Sequence, residues 1–157
     1  MNCTLKTLAA TIVVAGFGAA GSALGDEMPP LPAAQAQGAV SYITGGIGED
    51  QAAAFRQAAA SYPLEMLFVE KAGSKNEFLA DVSVSVRNRS GTALLETTAD
   101  GPFLLAELPD GKYSIDAEYR GEHKHRNIEI RSGVHQRAVF VWSSRDEVER
   151  PVSSSAG

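Results

Sequence analysis

Two histidines spaced two residues apart form the first pattern in this sequence that could do chemistry. His123 and His125 lie in a stretch whose alternation predicts a β-strand, so both imidazoles would face the same side. A two-residue turn with Gly121 at its first central position would place Glu118 opposite His125. Imidazole and carboxylate ligands suit zinc, copper or nickel, and His135 could add a further ligand. A solvated hairpin with ordinary charge pairs is the alternative.

The intervening positions of the same stretch carry positive charge. Lys124 and Arg126 fall on the side that should face inward, next to Tyr119 and Ala117. Charges are rarely placed in a core, so this end of the fold is expected to be open or to lie at an edge. The long side chains could cover Tyr119 while their charges stay in water, or they could form a mouth for an anionic or sugar ligand.

Catalysis has no comparable pattern. Ser83, Ser85 and Ser114 have no histidine in a motif context, and no nucleophile elbow occurs. The glycines of Gly45-Gly-Ile-Gly48 could suggest a phosphate cradle, but the two carboxylates that follow would repel anions. A tight turn into a helix is the preferred interpretation. The chain is therefore predicted to be non-catalytic and to use no cofactor.

The element that must position these residues lies between Gly101 and Gly121. Tyr113 begins an alternation of apolar and polar residues that predicts a half-buried strand. Ahead of it, the turn 108–111 combines a proline, which fixes φ, with Gly111, which is expected to take positive φ. Tyr113 should point inward, and its hydroxyl then needs a partner.

The remaining elements predict a mainly β fold with one N-terminal helix. Residues 40–44 and 64–69 read as strands on either side of a helix at 49–61, and residues 72–77 read as a loop. Further strands are expected up to Trp142, which gives an antiparallel, Ig-like β-sandwich of about seven strands. The domain is predicted to span 39–142, with the strand–helix–strand unit 39–69 added to a core at 78–142.

The predicted turn at Gly121 also sets a register for the strands on either side of it. Asp116 should pair with Asn127 on the wet face. On the dry face, Ile115 should pair with Ile128 and Tyr113 with Ile130. The two apolar sets agree, which favours this register.

The segment 101–121 resembles the carboxypeptidase regulatory-like domains, which are also described as transthyretin-like. The family pattern falls on Gly101, Phe103, Leu105, Leu108, Pro109, Gly111, Tyr113, Ile115, Ala117 and Gly121. Asp110, inserted between proline and glycine, departs from it and lengthens the turn. The resemblance covers roughly 78–142 and implies a non-catalytic module that contacts sugars or proteins. It further implies a small secreted or periplasmic protein.

The first 25 residues are predicted to be a cleaved signal peptide. Lys6 supplies the positive charge, an apolar stretch follows, and Ala23 and Gly25 are small residues at the positions that signal peptidase reads. Cleavage removes Lys6, the one charged residue among them, which takes the formal net charge from −5 to −6. Cys3 is also removed, so the mature chain would have no thiol. The alternative is a retained membrane anchor.

Proline-rich residues 26–38 predict an extended leader, and the Ser-rich residues 143–157 predict a disordered tail. An acidic chain without a basic run argues against nucleic acid as a partner, and no membrane span is expected after signal removal. The sequence therefore predicts a periplasmic or secreted binding module for an envelope protein or a glycan. Periplasmic metal binding by surface histidines is the alternative function, and a separate interaction element at 40–69 is a third.

Overall fold

The structure, a computed structural model, describes residues 30–144 of the 157-residue chain. The predicted signal peptide, residues 26–29 of the predicted leader and the predicted tail beyond 144 lie outside this part. The described residues form one helix and ten strands. In chain order these are β1 (Gln35–Gln37), β2 (Val40–Gly45), α1 (Glu49–Ala59), β3 (Leu64–Ala72), β4 (Lys75–Phe78), β5 (Val82–Asn88), β6 (Ala93–Ala99), β7 (Phe103–Glu107), β8 (Gly111–Tyr119), β9 (Glu122–Ile130) and β10 (Gln136–Ser143).

The strands form two sheets. The first has the order β1-β2-β7-β3-β10. β7 pairs with the first half of β3, and β4 pairs with the second half. The second has the order β6-β5-β8-β9 and is antiparallel throughout. In the first sheet β10 runs parallel to β3, whereas the other pairings are antiparallel.

The two sheets share one apolar core. Phe68, Phe140 and Trp142 enter it from the first sheet, and their rings lie 5.7 to 6.5 Å apart between centroids. Val84 and Ile115 enter it from the second sheet and are fully buried or nearly so. Each such side chain contributes about 1.5–3 kcal/mol by leaving water, so this layer is the main source of cohesion.

Helix α1 covers the opposite face of the first sheet. Ala52, Phe55 and Ala59 are buried there, as their spacing along the helix predicts. The small alanines let the helix lie close to the sheet. Consequently β3 is buried on both faces from Leu64 to Val69, where its sequence is apolar except for Glu65.

The mainly β prediction with one helix is confirmed, and four details of it need correction. The predicted leader contains β1, and the predicted loop 72–77 contains most of β4. The parallel pairing of β10 with β3 means that the fold is not antiparallel throughout. Finally, β7 lies between β2 and β3 and pairs with both. The unit 39–69 therefore supplies two strands to a shared sheet, whereas it was expected to be an addition to a complete core.

The predicted register of β8 and β9 is wrong by two residues. The turn consists of Arg120 and Gly121, with φ of 50° and 80°, and this pair of positive values is that of a type I′ hairpin. It places Glu118 opposite His123. The remaining pairs are Asp116 with His125, Ser114 with Asn127, Ile115 with Arg126 and Tyr113 with Ile128. A shift of two keeps every side chain on its predicted face, because the side-chain period of a strand is two.

The central segment carries the chain from the first sheet to the second. Tyr113 is buried at the start of β8, and its hydroxyl donates to the backbone oxygen of Pro109 at 2.7 Å, which confirms that it finds a partner. Burial, followed by the nearby charge of Asp110, raises the pKa of this tyrosine. Gly111 does not take positive φ, so that expectation is wrong. At Gly101 a glycine is required because the backbone of β2 is close: a Cβ there would lie 2.4 Å from the Gly45 carbonyl oxygen.

Candidate functional site

The loop between β2 and α1 is held by its glycines and by Gln51. Gly45, Gly46 and Gly48 have φ of 152°, 96° and 87°, a region that other residues rarely adopt. Gln51 Oε1 accepts the N–H of Gly46 at 2.8 Å and that of Ile47 at 3.1 Å. These donors are satisfied within the chain, which favours the tight-turn interpretation over a phosphate cradle.

A row of aromatic rings lies beside this loop. Phe55 from α1 stacks on the buried Phe103 of β7 at 5.7 Å between centroids, and Phe78 of β4 lies 6.2 Å from the same ring. Phe78 pairs with Val69 across the sheet, so it continues the face that α1 covers. Helix α1 covers it only in part, and 53% of its surface remains exposed.

Phe78 and the loop line a cleft of about 500 Å³. Its walls come from the loop, the first turns of α1 and the β4–β5 connection, and they are mostly apolar. Ile47 at the rim is 65% exposed. The guanidinium of Arg56 lies 6.0 Å from the Phe78 ring centroid and 5.8 Å from that of Phe103. Within residues 30–144 no carboxylate lies within 4 Å of it. We call this region the Phe78 cleft.

Strand β4 forms one border of the Phe78 cleft. It pairs with β3 on one side, and within the described part of the chain no strand pairs with its other side. All four of its residues are exposed. The cleft therefore combines mostly apolar walls, one cation, the carboxylate of Glu49 and a free strand edge, which together suit an extended segment of another chain.

Sequence reasoning did not find this cleft. Residues 72–77 read as a loop because Gly73 and the polar residues after it suggest no strand. The available signal was Phe78, a large apolar residue two positions after Asn76 and next to Leu79. Only the pairing with Val69 shows that its ring joins the helix-covered face.

The predicted metal ligands form two separate pairs. His123 Nε2 lies 3.7 Å from Glu118 Oε2, and His125 Nδ1 lies 2.7 Å from Asp116 Oδ1. The bond to Asp116 raises the pKa of His125, although both side chains are about half exposed. His135 lies in a different cluster. Residues 30–144 contain no group of three histidine, cysteine, aspartate or glutamate side chains placed to hold a metal ion.

The residues of the predicted ligand mouth, Tyr119, Lys124 and Arg126, do not line a common cleft. Tyr119 packs edge-on against Trp142 at 6.0 Å, beneath the Arg120 guanidinium at 4.8 Å. Arg126 instead lies over Phe140, 6.0 Å from its centroid, and lines a different cleft. Lys124 forms an ion pair with the neighbouring Glu122 at 2.6 Å. The three residues thus face the expected side but do not form one mouth.

A buried carboxylate missed by the sequence analysis lies at the start of β3. Glu65 is 8% exposed at its side chain and accepts from Arg137 Nε at 3.3 Å. His135 Nε2 lies 3.2 Å from its other oxygen, while Nδ1 of the same ring lies 2.8 Å from the Tyr62 carbonyl. Both ring nitrogens face acceptors, so both contacts are hydrogen bonds only when the ring carries two protons. The cluster fastens β10 to the turn after α1.

The three serines considered for catalysis share one face of the second sheet with His123 and His125, but within residues 30–144 no hydrogen bond joins any of them to a histidine. Ser83 and Ser85 are on β5 and Ser114 is on β8. The hydrogen bonds of the described histidines go to Asp116, Asn127, Glu65 and the Tyr62 carbonyl.

No protein-family model matches the chain, and comparison with curated proteins finds no match. Among the residues described, no helix has both the length and the apolar character needed to cross a membrane.

Proposed function

We propose that this chain is an exported, non-catalytic β-sandwich of the transthyretin-like type that binds an extended segment of a protein partner in the Phe78 cleft. The single observation that carries the proposal is Phe78, a half-exposed aromatic ring between a free strand edge and a cation without a carboxylate partner in the described chain. An exposed apolar surface with a polar rim is typical of a site that binds another molecule.

The free edge of β4 favours a peptide over a glycan. An added strand would form backbone hydrogen bonds with β4, and alternate side chains would enter the cleft. The walls are mostly apolar and offer few groups for sugar hydroxyls. Arg56 would favour an acidic residue near the apolar side chain. The ligand is therefore an extended segment with alternating apolar residues and at least one carboxylate.

The test uses peptides selected from a random library on the mature protein, followed by calorimetry. Phe78→Ser should weaken the selected peptides by at least about tenfold, because it removes the aromatic wall. Val134→Ser is the matched control, since Val134 is also an exposed apolar residue (45%) but lies on another surface. It should change affinity by less than about twofold.

Strand addition also predicts which backbone N–H groups of the peptide are needed for binding. Methylating alternate backbone nitrogens of the selected peptide should abolish binding, while methylating the nitrogens between them should not. Selected peptides that bind Phe78→Ser as tightly as the parent would contradict the proposal. Equal urea midpoints for the parent and both variants are required for either conclusion.

Export is part of the proposal and has its own measurement. The mass and the first residues of the protein recovered outside the cytoplasm should correspond to a chain that begins at Asp26. A recovered chain that still carries residues 1–25 would contradict cleavage.

Metal binding remains the second candidate function, supported by the shared face of His123 and His125. Their carboxylate partners differ, so each pair offers two ligands, which is fewer than a closed zinc site uses. Under the main proposal, zinc or copper titrated into the mature protein gives no heat. A stoichiometric heat that His125→Ala removes would favour the metal function.

A further inference from the structure

A second cleft lies between the outer strands of the two sheets. It is bordered by β9 and β10, has a volume of about 510 Å³, and is separate from the Phe78 cleft. Three arginines line it: Arg126, Arg131 and Arg137. Glu129 is the one acidic residue among the lining residues, so the lining is net positive on a chain whose formal net charge is −5. We call it the arginine cleft.

Each of the three arginines is held by a contact that leaves part of its guanidinium available. Arg126 rests over the Phe140 ring, and within residues 30–144 no carboxylate lies within 4 Å of it. Arg137 is bound through Nε to the buried Glu65. Arg131 Nη2 lies 3.0 Å from Glu129 Oε2. A guanidinium has five N–H donors, so each arginine keeps donors for a ligand.

The loop that carries Arg131 is also ordered. The N–H of Val134 donates to the Arg131 carbonyl at 3.0 Å, and Ser132 Oγ donates to the carboxylate of Asp110 at 2.9 and 3.0 Å. The cations are therefore placed before a ligand arrives, which lowers the entropic cost of binding.

We propose that the arginine cleft binds an anionic polysaccharide, one that carries sulfate, phosphate or uronate groups. Arginine is suited to such oxyanions because its N–H groups bind two oxygens at once. Asn127 and Gln136 also line the cleft, and their amides can donate to and accept from hydroxyl groups.

Other polyanions fit this cleft less well. Its lining residues include no aromatic side chain on which a nucleic acid base could stack. An acidic peptide that added as a strand would have to use the free edge of β9 or β10, and the charged residues Glu122, Lys124 and Arg126 discourage such pairing along β9. A carbohydrate chain needs neither stacking nor backbone pairing, because side chains alone can hold it.

The experiment measures binding of heparin oligosaccharides and oligogalacturonates, as sulfated and uronate-bearing probes, to the mature protein. At least one should bind, and raising NaCl from about 0.05 to about 0.5 M should weaken it strongly. The double variant Arg126→Gln/Arg131→Gln should lose at least about tenfold in affinity. Arg137 is left intact because it neutralises Glu65.

The control is Lys71→Gln/Lys75→Gln, which removes two positive charges from the exposed end of the β3–β4 hairpin, where neither residue lines the arginine cleft. It should lose less than about twofold, because long-range attraction changes equally in both double variants. Equal losses in the two variants, no binding of either oligosaccharide, or equally tight binding of poly-glutamate would each overturn the proposal. Phe78→Ser should leave oligosaccharide binding unchanged, so this result is independent of the peptide site.

Discussion

At the scale of single residues, Tyr113 shows how one side chain joins a turn to the core. Its ring is buried between the sheets and its hydroxyl binds the carbonyl of Pro109, four residues earlier. Tyr113→Ala should lower the free energy of unfolding by about 3–5 kcal/mol, because it leaves a cavity and frees that carbonyl. Tyr113→Phe removes only the hydroxyl and should cost about 1 kcal/mol.

Urea unfolding of the two variants tests this difference. An unchanged urea midpoint for Tyr113→Ala would show that the ring does not contribute to the core. A midpoint for Tyr113→Phe as low as that of Tyr113→Ala would mean that the hydroxyl, and not the ring, holds the turn.

His125 provides a prediction about pH. Its hydrogen bond to Asp116 raises the pKa of the imidazole above its usual value. The pair therefore adds stability that is fully present below the unfolded pKa, about 6.5. This stability is lost as pH rises through the folded pKa. Because both side chains are about half exposed, the contribution should stay below about 1 kcal/mol.

An NMR titration of the histidine ring protons tests this prediction. Asp116→Asn should lower the pKa of His125, whereas Glu96→Gln on the outer strand β6 should leave the titration curve of His125 in place. An unchanged curve in Asp116→Asn would show that the pair does not form in solution.

At the scale of elements, the backbone of Gly101, just before β7, packs directly against the backbone of Gly45 at the end of β2. Gly101→Ala should be strongly destabilising, by about 2 kcal/mol or more, since its Cβ would lie 2.4 Å from a backbone oxygen that cannot move freely. Gly111→Ala is the control, because a Cβ there meets only the Tyr113 ring and hydroxyl, at 3.4 Å or more. Urea midpoints that fall equally in the two variants would contradict this explanation.

The sequence predicted the elements unevenly, and the differences have physical causes. Strand β8 and helix α1 were predicted because each has a clear period, with apolar residues at every second position or on one helical face. Strands β1 and β4 were missed because they are three and four residues long and fully exposed, so no apolar alternation marks them. They exist because longer neighbours offer them hydrogen bonds.

At the scale of the whole molecule, the sheet order makes the two halves of the chain depend on each other. Strand β7 lies between β2 and β3, so removing residues 39–69 takes away both of its partners and the helix that covers it. The deletion variant should therefore show no cooperative urea transition. A cooperative transition would mean that the later strands fold alone, as the predicted core at 78–142 requires.

The sequence by itself determined the class of the fold, the burial of β3 on both faces and the inward direction of Tyr113. These follow from local periodicity and from residues 64–69 of β3, which are apolar except for Glu65. Only the tertiary structure decided the β8–β9 register, the parallel neighbour of β3, and both clefts. These depend on residues far apart in sequence, such as Phe78 beside Phe103 and Arg126 facing Arg137, which no local period encodes.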